Sequence, residues 1–282
     1  MTGRGAHAAP SASPALPLEP PPRRPRALPV IVVILLLAAG IVVGVKFLDT
    51  SPPPCQSTFV PAFFPPPDWT RAVHDGQIAP GVMILNPASG PGPSPDTALQ
   101  GSVSHAQDSG SAVIGYIGTE YGARPLAEAE RYVRQYQSWY GVTGIFLDQT
   151  PTEGTRNIGY YRSLARYIHQ AIPGATIWLN PGDFPARAYM SVGNVVMVFE
   201  GPYKNYVNLP VPSWVKDYRP GRFAHTIYAT PEAAISSAVK LSRERNAGHL
   251  FITDLVGSNP YSALPDYWSH EMAAVSGGCG RS

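Results

Sequence analysis

The stretch Thr143-Gly-Ile-Phe-Leu-Asp148, followed by Gln149, is an apolar run that stops on an acid. It is too short for a buried helix and lacks polar alternation, so it reads as a strand covered on both faces. Its flanks are helical in pattern. Residues 125–140 open on a Pro at a first-turn position and place Leu126, Ala129, Val133, Tyr136 and Tyr140 on one stripe. Residues 156–172 repeat the pattern with Ile158, Tyr161, Leu164, Ala165 and Ile168.

Working outward, seven more short apolar runs appear, at 56–64, 81–86, 112–118, 176–180, 195–200, 222–228 and 249–254. Thr230 as N-cap and Pro231 as first residue open a further helix with Ala233, Ala234, Ala238 and Leu241. Residues 95–109 and 262–274 supply weaker helical patterns. Eight strands alternating with helices predict a (β/α)8 TIM barrel. An open doubly wound sheet is the alternative, and the lack of a Gly-rich nucleotide fingerprint after the first strand weighs against it.

The chain has 282 residues, 44% hydrophobic and 10% aromatic, which suits a folded domain. Residues 1–27 are rich in Pro, Ala and Ser and read as a disordered cytoplasmic tail. Residues 28–48 begin with an uncharged apolar run, Leu28 to Val45, just long enough to cross a hydrocarbon core of roughly 30 Å. They read as a transmembrane signal-anchor. A cleaved signal peptide is the alternative, although the run exceeds the usual ~7–15 residues of a signal core. Arg4, Arg23, Arg24 and Arg26 precede the span and only Lys46 closely follows it, which keeps the N-terminus in the cytoplasm and puts the barrel outside. A Pro-rich linker at 49–54 leads into a barrel at 55–282.

The tail carries a net charge of +3 against +2 for the whole chain, so the exported part is nearly neutral and gives no sign of nucleic-acid binding. Cys55 and Cys279 stand near the two ends of the barrel. A barrel brings its ends together, so they are expected to pair in a disulfide in an oxidising compartment. No metal cluster, phosphate loop or Ser-His-Asp set stands out, and no cofactor or metal is inferred. A monomer is expected.

Barrel sites form at the C-terminal ends of strands. The residues there are Asn86, the loop Thr119-Glu-Tyr-Gly with Tyr121, Asp148-Gln149, Asn180, Glu200 with Tyr203 close behind, and Asp254. Several polar residues immediately follow apolar runs, which chance placement would scatter. Tyr121 and Tyr203, in strand-end loops, are candidate stacking platforms for a ligand.

Four segments carry a resemblance. Val60-Pro-Ala-Phe-Phe-Pro65 with Trp69, Ile84-Leu-Asn-Pro-Ala-Ser-Gly-Pro-Gly92, Gly115-Tyr-Ile-Gly-Thr-Glu-Tyr-Gly122 and Gly144-Ile-Phe-Leu-Asp148 resemble the spherulin-4 (spherulation-specific) family over roughly 56–275. The resemblance implies a glycoside hydrolase related to the endo-α-1,4-galactosaminidases, acting on polymers of N-acetylgalactosamine or galactosamine. It places the family's acidic positions on Asp148 and Glu200. The family commonly has Asp-Glu where this chain has Asp148-Gln149, and Gln cannot donate a catalytic proton.

Glycoside cleavage needs two carboxyl groups flanking the scissile bond. Glu200 follows Val195-Val-Met-Val-Phe199, and apolar surroundings keep a carboxyl protonated, so Glu200 is the expected acid and Asp148 its ionised partner. Gln149, Asn86, Tyr121, Asn180, Tyr203 and Asp254 are expected to contact the polysaccharide. Structural roles compete: Asp148 as a loop cap, Glu200 paired with a loop Arg or Lys204, Asn86 as a turn former, Asp254 as a barrel-closing residue. His225 is expected in the core, and His249 stands at the wrong end of its strand. Gln149 keeps open a catalytically inactive, glycan-binding barrel.

Overall fold

The computed structural model describes residues 55–74 and 79–277. The order is β1 (Ser57–Ala62), α1 (Pro66–His74), β2 (Val82–Leu85), α2 (Thr97–Asp108), β3 (Ala112–Gly118), α3 (Leu126–Tyr140), β4 (Gly144–Asp148) and α4 (Ile158–Ala171). Then follow β5 (Thr176–Asn180), β6 (Val195–Pro202), α5 (Tyr203–Tyr206), β7 (Phe223–Tyr228), α6 (Ile235–Glu244), β8 (His249–Ile252) and α7 (Trp268–Ser276). The strands pair in parallel in chain order and β8 returns to β1, closing the barrel. The expected (β/α)8 architecture is present.

The interior is plugged by aromatics. Phe59 of β1 and Trp178 of β5 come from opposite sides of the barrel, yet their ring centroids are 5.3 Å apart, and Phe251 of β8 joins them. Fully burying each such ring contributes roughly 1.5–3 kcal/mol. With its lower part filled, the barrel can hold a ligand only at the C-terminal ends of the strands. His249 faces Trp178 at the filled end, with centroids 4.8 Å apart. Outside the barrel, Gly115 lets the buried Tyr136 ring of α3 lie against β3, where an added Cβ would meet that ring at 2.5 Å.

The helical ring is incomplete. A 3-10 turn at Arg187–Ser191 is the only helical segment between β5 and β6. The β6–β7 connection holds the four-residue α5 and two 3-10 turns, Ser213–Asp217 and Pro220–Arg222. Pro181, Pro185, Pro202, Pro210, Pro212 and Pro220 crowd these connections, and each removes a backbone donor that a longer helix requires.

Helix α1 was not among the helical patterns expected from the sequence. Pro66 and Pro67 occupy its first turn, where the missing N–H groups have no intrahelical partner anyway. Two further expectations are corrected. Strand β1 ends at Ala62 and not Phe64. Thr230 does not cap α6: its hydroxyl bonds back to the Ile227 carbonyl at 3.3 Å, and a 3-10 turn, Glu232–Ala234, precedes the helix.

The tail, the expected span at 28–48, the linker and Cys279 lie outside the described residues. Among the described residues, no helix is long and apolar enough to cross a membrane.

Candidate active site

At the C-terminal ends of the strands a cavity of about 360 Å³ opens, with Asp148, Asn180 and Glu200 on its wall. Pairing of β3, β4 and β5 sets Gly118, Asp148 and Asn180 side by side. Period-2 alternation points Asp148 and Asn180 inward together with Phe146 and Trp178 below them.

Glu200 reaches the cavity by a different route. In β6 the register slips between Met197 and Phe199. Without that slip, Met197 and Phe199 would share a face. Instead Phe199 packs outward on Tyr206 and Ile227, while Met197 and Glu200, three apart, both line the cavity. The irregularity re-aims one carboxyl, as strand bulges beside functional sites do.

The hydrogen bonds form one chain. Asn180 Nδ2 donates to Asp148 Oδ1 at 2.7 Å and to Glu200 Oε2 at 2.6 Å. Asn180 Oδ1 accepts from the Gly182 amide at 2.9 Å. A backbone N–H can only donate, so this bond fixes which way the Asn180 amide points. Tyr116 donates to Asp148 Oδ2 at 2.6 Å, and Tyr261 donates to Glu200 Oε1 at 2.6 Å.

Burial pushes the Glu200 carboxyl above the ordinary range; its bonds from Tyr261 and Asn180 oppose this, and the charge of Asp148 adds to it. Burial, then the adjoining carboxylate, holds the Tyr116 and Tyr261 phenols far above their usual range, so both remain donors. Among the described residues, no Lys, Arg or His lines the cavity. Two carboxyl groups, one of them pushed by burial toward its protonated form, with fixed donors around both, can transfer a proton on one side of a bond and stabilise positive charge on the other.

The other expected residues are dispersed. Asn86 lines the cavity, but its Oδ1 accepts from the Gly90 amide at 2.9 Å and closes its own turn. The lining does not include Gln149, Tyr121, Tyr203 or Asp254. Gln149 is exposed, with φ 56°, and its Oε1 accepts from the Glu120 amide at 3.2 Å. Tyr121 is 60% exposed on the loop after β3. Tyr203 begins α5 and packs on the Phe199 side of β6. Asp254 is exposed beyond β8.

His225 is buried in the outer layer with Nδ1 2.7 Å from the Tyr206 hydroxyl, and burial lowers its pKa to about 3. Among the described residues, no three His, Cys, Asp or Glu side chains converge as metal ligands. Neither Tyr116 nor Tyr261 was among the site residues expected from the sequence. Tyr261 stands in the loop after β8, so the strand-end criterion that selected Tyr121 and Tyr203 covers it as well.

Fold and site together define a closed (β/α)8 barrel with a bridged carboxyl pair at the C-terminal ends of its strands. The sequence pattern of the spherulation-specific family 4 matches residues 58–275. The chain belongs to that family. Spherulin-4 of Physarum polycephalum is 28% identical over 256 residues, covering 86% of this chain and 76% of the relative. Aspergillus clavatus Sph3, whose crystal structure is a complex with GalNAc, aligns with a TM-score of 0.68 at 23% identity, over 79% of this chain and 98% of that one. A GH18 chitinase from Cycas revoluta in complex with allosamidin aligns with a TM-score of 0.51 at 12% identity, over 80% of this chain and all of the other. At these identities the solved structures establish the shared barrel.

Proposed function

We propose that this protein is a glycoside hydrolase that cleaves an extracellular amino-sugar polysaccharide of the α-1,4-linked N-acetylgalactosamine or galactosamine type. One observation carries the reading: a single Asn180 nitrogen bridges two carboxyl groups of unlike environment at the mouth of a barrel. The GalNAc bound to Sph3 supports an amino sugar as ligand.

Each bridged oxygen lies within 2.7 Å of the shared nitrogen. That closeness favours the roughly 5–5.5 Å spacing of retaining pairs over the ~6.5–9.5 Å that leaves room for water. In the reaction Glu200 protonates the glycosidic oxygen as its bond to the anomeric carbon breaks, and Asp148 forms an ester to that carbon. Water then attacks the same carbon, gives its proton to Glu200, and releases Asp148.

The Asp148-Gln149 sequence, where the family commonly has Asp-Glu, favours a second reading, a barrel that binds glycans without cleaving them. Placement is part of the proposal: a single-pass anchor at 28–48, N-terminus in the cytoplasm and a monomeric barrel outside, closed by a Cys55–Cys279 disulfide. The charge pattern around the apolar run supports the orientation. Cys55 has no free thiol, and Cys279 is the only other cysteine in the sequence.

The test is turnover of α-1,4-galactosaminan and N-acetylgalactosaminan by the full chain in detergent, beside Glu200→Gln and Asp148→Asn. Shortened oligosaccharides from the parent and from neither variant are expected. Binding without product sinks the hydrolase reading in favour of the second.

A further inference from the structure

The Glu200 carboxyl is completed from outside the barrel wall. Its Oε1 partner, Tyr261, belongs to the loop joining β8 to α7, which also brings Ser258 and Asn259 to the cavity. Part of this loop projects freely: Val256 is 69% exposed, beside Gly257 at φ 97°. The part that follows Tyr261 is tied to α1. The Leu264 amide donates to Asp68 Oδ2 at 3.3 Å. Arg71 Nη2 donates to the carbonyls of Leu264, at 2.7 Å, and Pro265, at 2.8 Å. Asp68 and Arg71 pair with each other at 3.2 Å, so the two side chains grip the strap as one unit.

We propose that Asp68 and Arg71 are positioning residues for the carboxyl pair, which hold the β8–α7 loop so that Tyr261 stays bonded to Glu200. This rests on the reading of Asp148 and Glu200 as the working pair. Three peptide units separate Tyr261 from Leu264 and span at most roughly 10 Å. Fixing Leu264 therefore confines the Tyr261 backbone to the neighbourhood of Glu200. The ring then lies edge-on to Phe63 with centroids 5.9 Å apart, and the phenol reaches the carboxyl. A released clamp leaves the strap with the aromatic contacts and with anchors outside it, such as the Trp268 Nε1 bond to the Ala72 carbonyl at 3.1 Å, and the phenol then spends less time on Glu200.

The test reads Glu200 directly, through the pH titration of its side-chain carboxyl in the ¹³C-glutamate-labelled full chain in detergent. The charged or titratable groups facing it are Asp148, Tyr116 and Tyr261, and the cavity lining adds no cation. A phenol donor favours the charged carboxyl, so Tyr261→Phe raises the titration midpoint, by roughly half a unit to one unit. Arg71→Ala and Asp68→Asn raise it in the same direction, and Arg71→Ala adds little on top of Tyr261→Phe. A parental midpoint in folded Arg71→Ala, or a shift that simply adds to that of Tyr261→Phe, overturns the proposal. If Arg71→Ala loses its cooperative melt, Asp68→Asn decides by the same criterion. Titration shifts as expected in a parent that cleaves no glycan leave the clamp standing and remove the hydrolase reading.

Discussion

Asp148 and Glu200 are joined through one atom: the Asn180 side-chain nitrogen lies 2.7 Å from the first and 2.6 Å from the second. Both amide hydrogens are spent on carboxylates and the amide oxygen on Gly182, so Asn180 acts on the pair and has no donor left for a sugar. Asn180→Ala removes both bonds and leaves the cavity wall otherwise intact. Hydrogen bonds to charged groups contribute about 1.5–3 kcal/mol, so kcat should fall roughly ten- to hundredfold with a smaller change in KM. Steady-state kinetics on a labelled oligosaccharide checks this, and an unchanged kcat with a raised KM would return Asn180 to the role of a sugar contact.

The pH profile tests the division of labour. Burial holds the Glu200 carboxyl above its ordinary range, so its protonated fraction persists to higher pH. Activity that needs a protonated Glu200 is present below the folded pKa and lost as pH rises through it. The basic limb of kcat/KM should therefore lie above the ~4.3 of an unperturbed Glu. Asn180→Ala deletes a donor to the charged form and should move that limb higher still. A limb that stays in place in this variant assigns it to another group.

The barrel was legible in the sequence because its strands are continuous apolar runs ending in polar residues, as at Leu147-Asp148 and Leu179-Asn180. Asp148 and Glu200 were legible as strand-end residues for the same reason, and the resemblance suggested them as a pair. What joins it was not. The β6 irregularity turns Phe199 outward and Glu200 inward by backbone geometry, and simple alternation gives no sign of it. Tyr261 reaches the site from a loop whose path depends on contacts with α1, nearly two hundred residues earlier in the chain. Helix α1 was hidden by prolines that break a helix interior and yet suit a first turn.

Glu271 makes stability depend on pH. It lies on α7 and is 0% exposed. Strands β1 and β8 are in register only where Ser57 meets His249 and Thr58 meets Leu250, and beyond that seam the Ile252 amide donates to Glu271 Oε1 at 2.7 Å. The other oxygen, Oε2, has no hydrogen-bond partner among the described residues. Burial raises the folded pKa well above 4.5, and the Ile252 bond offsets only part of this. The native state thus keeps a proton that the unfolded chain gives up. Stability is fully present below the unfolded pKa and declines as pH rises toward the folded one, with a slope of at most about 1.4 kcal/mol per pH unit for one proton. Glu271→Gln keeps the acceptor and cannot ionise, so its advantage over the parent should grow from acidic to neutral pH. Urea unfolding across that range measures it, and parallel profiles would refute the assignment.

Gln149 occupies the position where the family commonly carries Glu, and its surroundings predict what restoring Glu would do. The side chain is exposed, turns toward the β3 loop and accepts from the Glu120 amide, while the cavity is lined without it. A Glu carboxylate can accept that same N–H, so Gln149→Glu should fold as the parent does. The pair at Asp148 and Glu200 already supplies one carboxyl for each face of the scissile bond. A third carboxyl directed at the β3 loop then changes kcat/KM by no more than about threefold, far below the 10²–10⁴ that a general acid or base contributes. Kinetics of parent and variant on one substrate decide the matter. A gain of two orders of magnitude would mean that position 149 turns into the cavity when substrate binds and that the parent lacks a working member of the acid set.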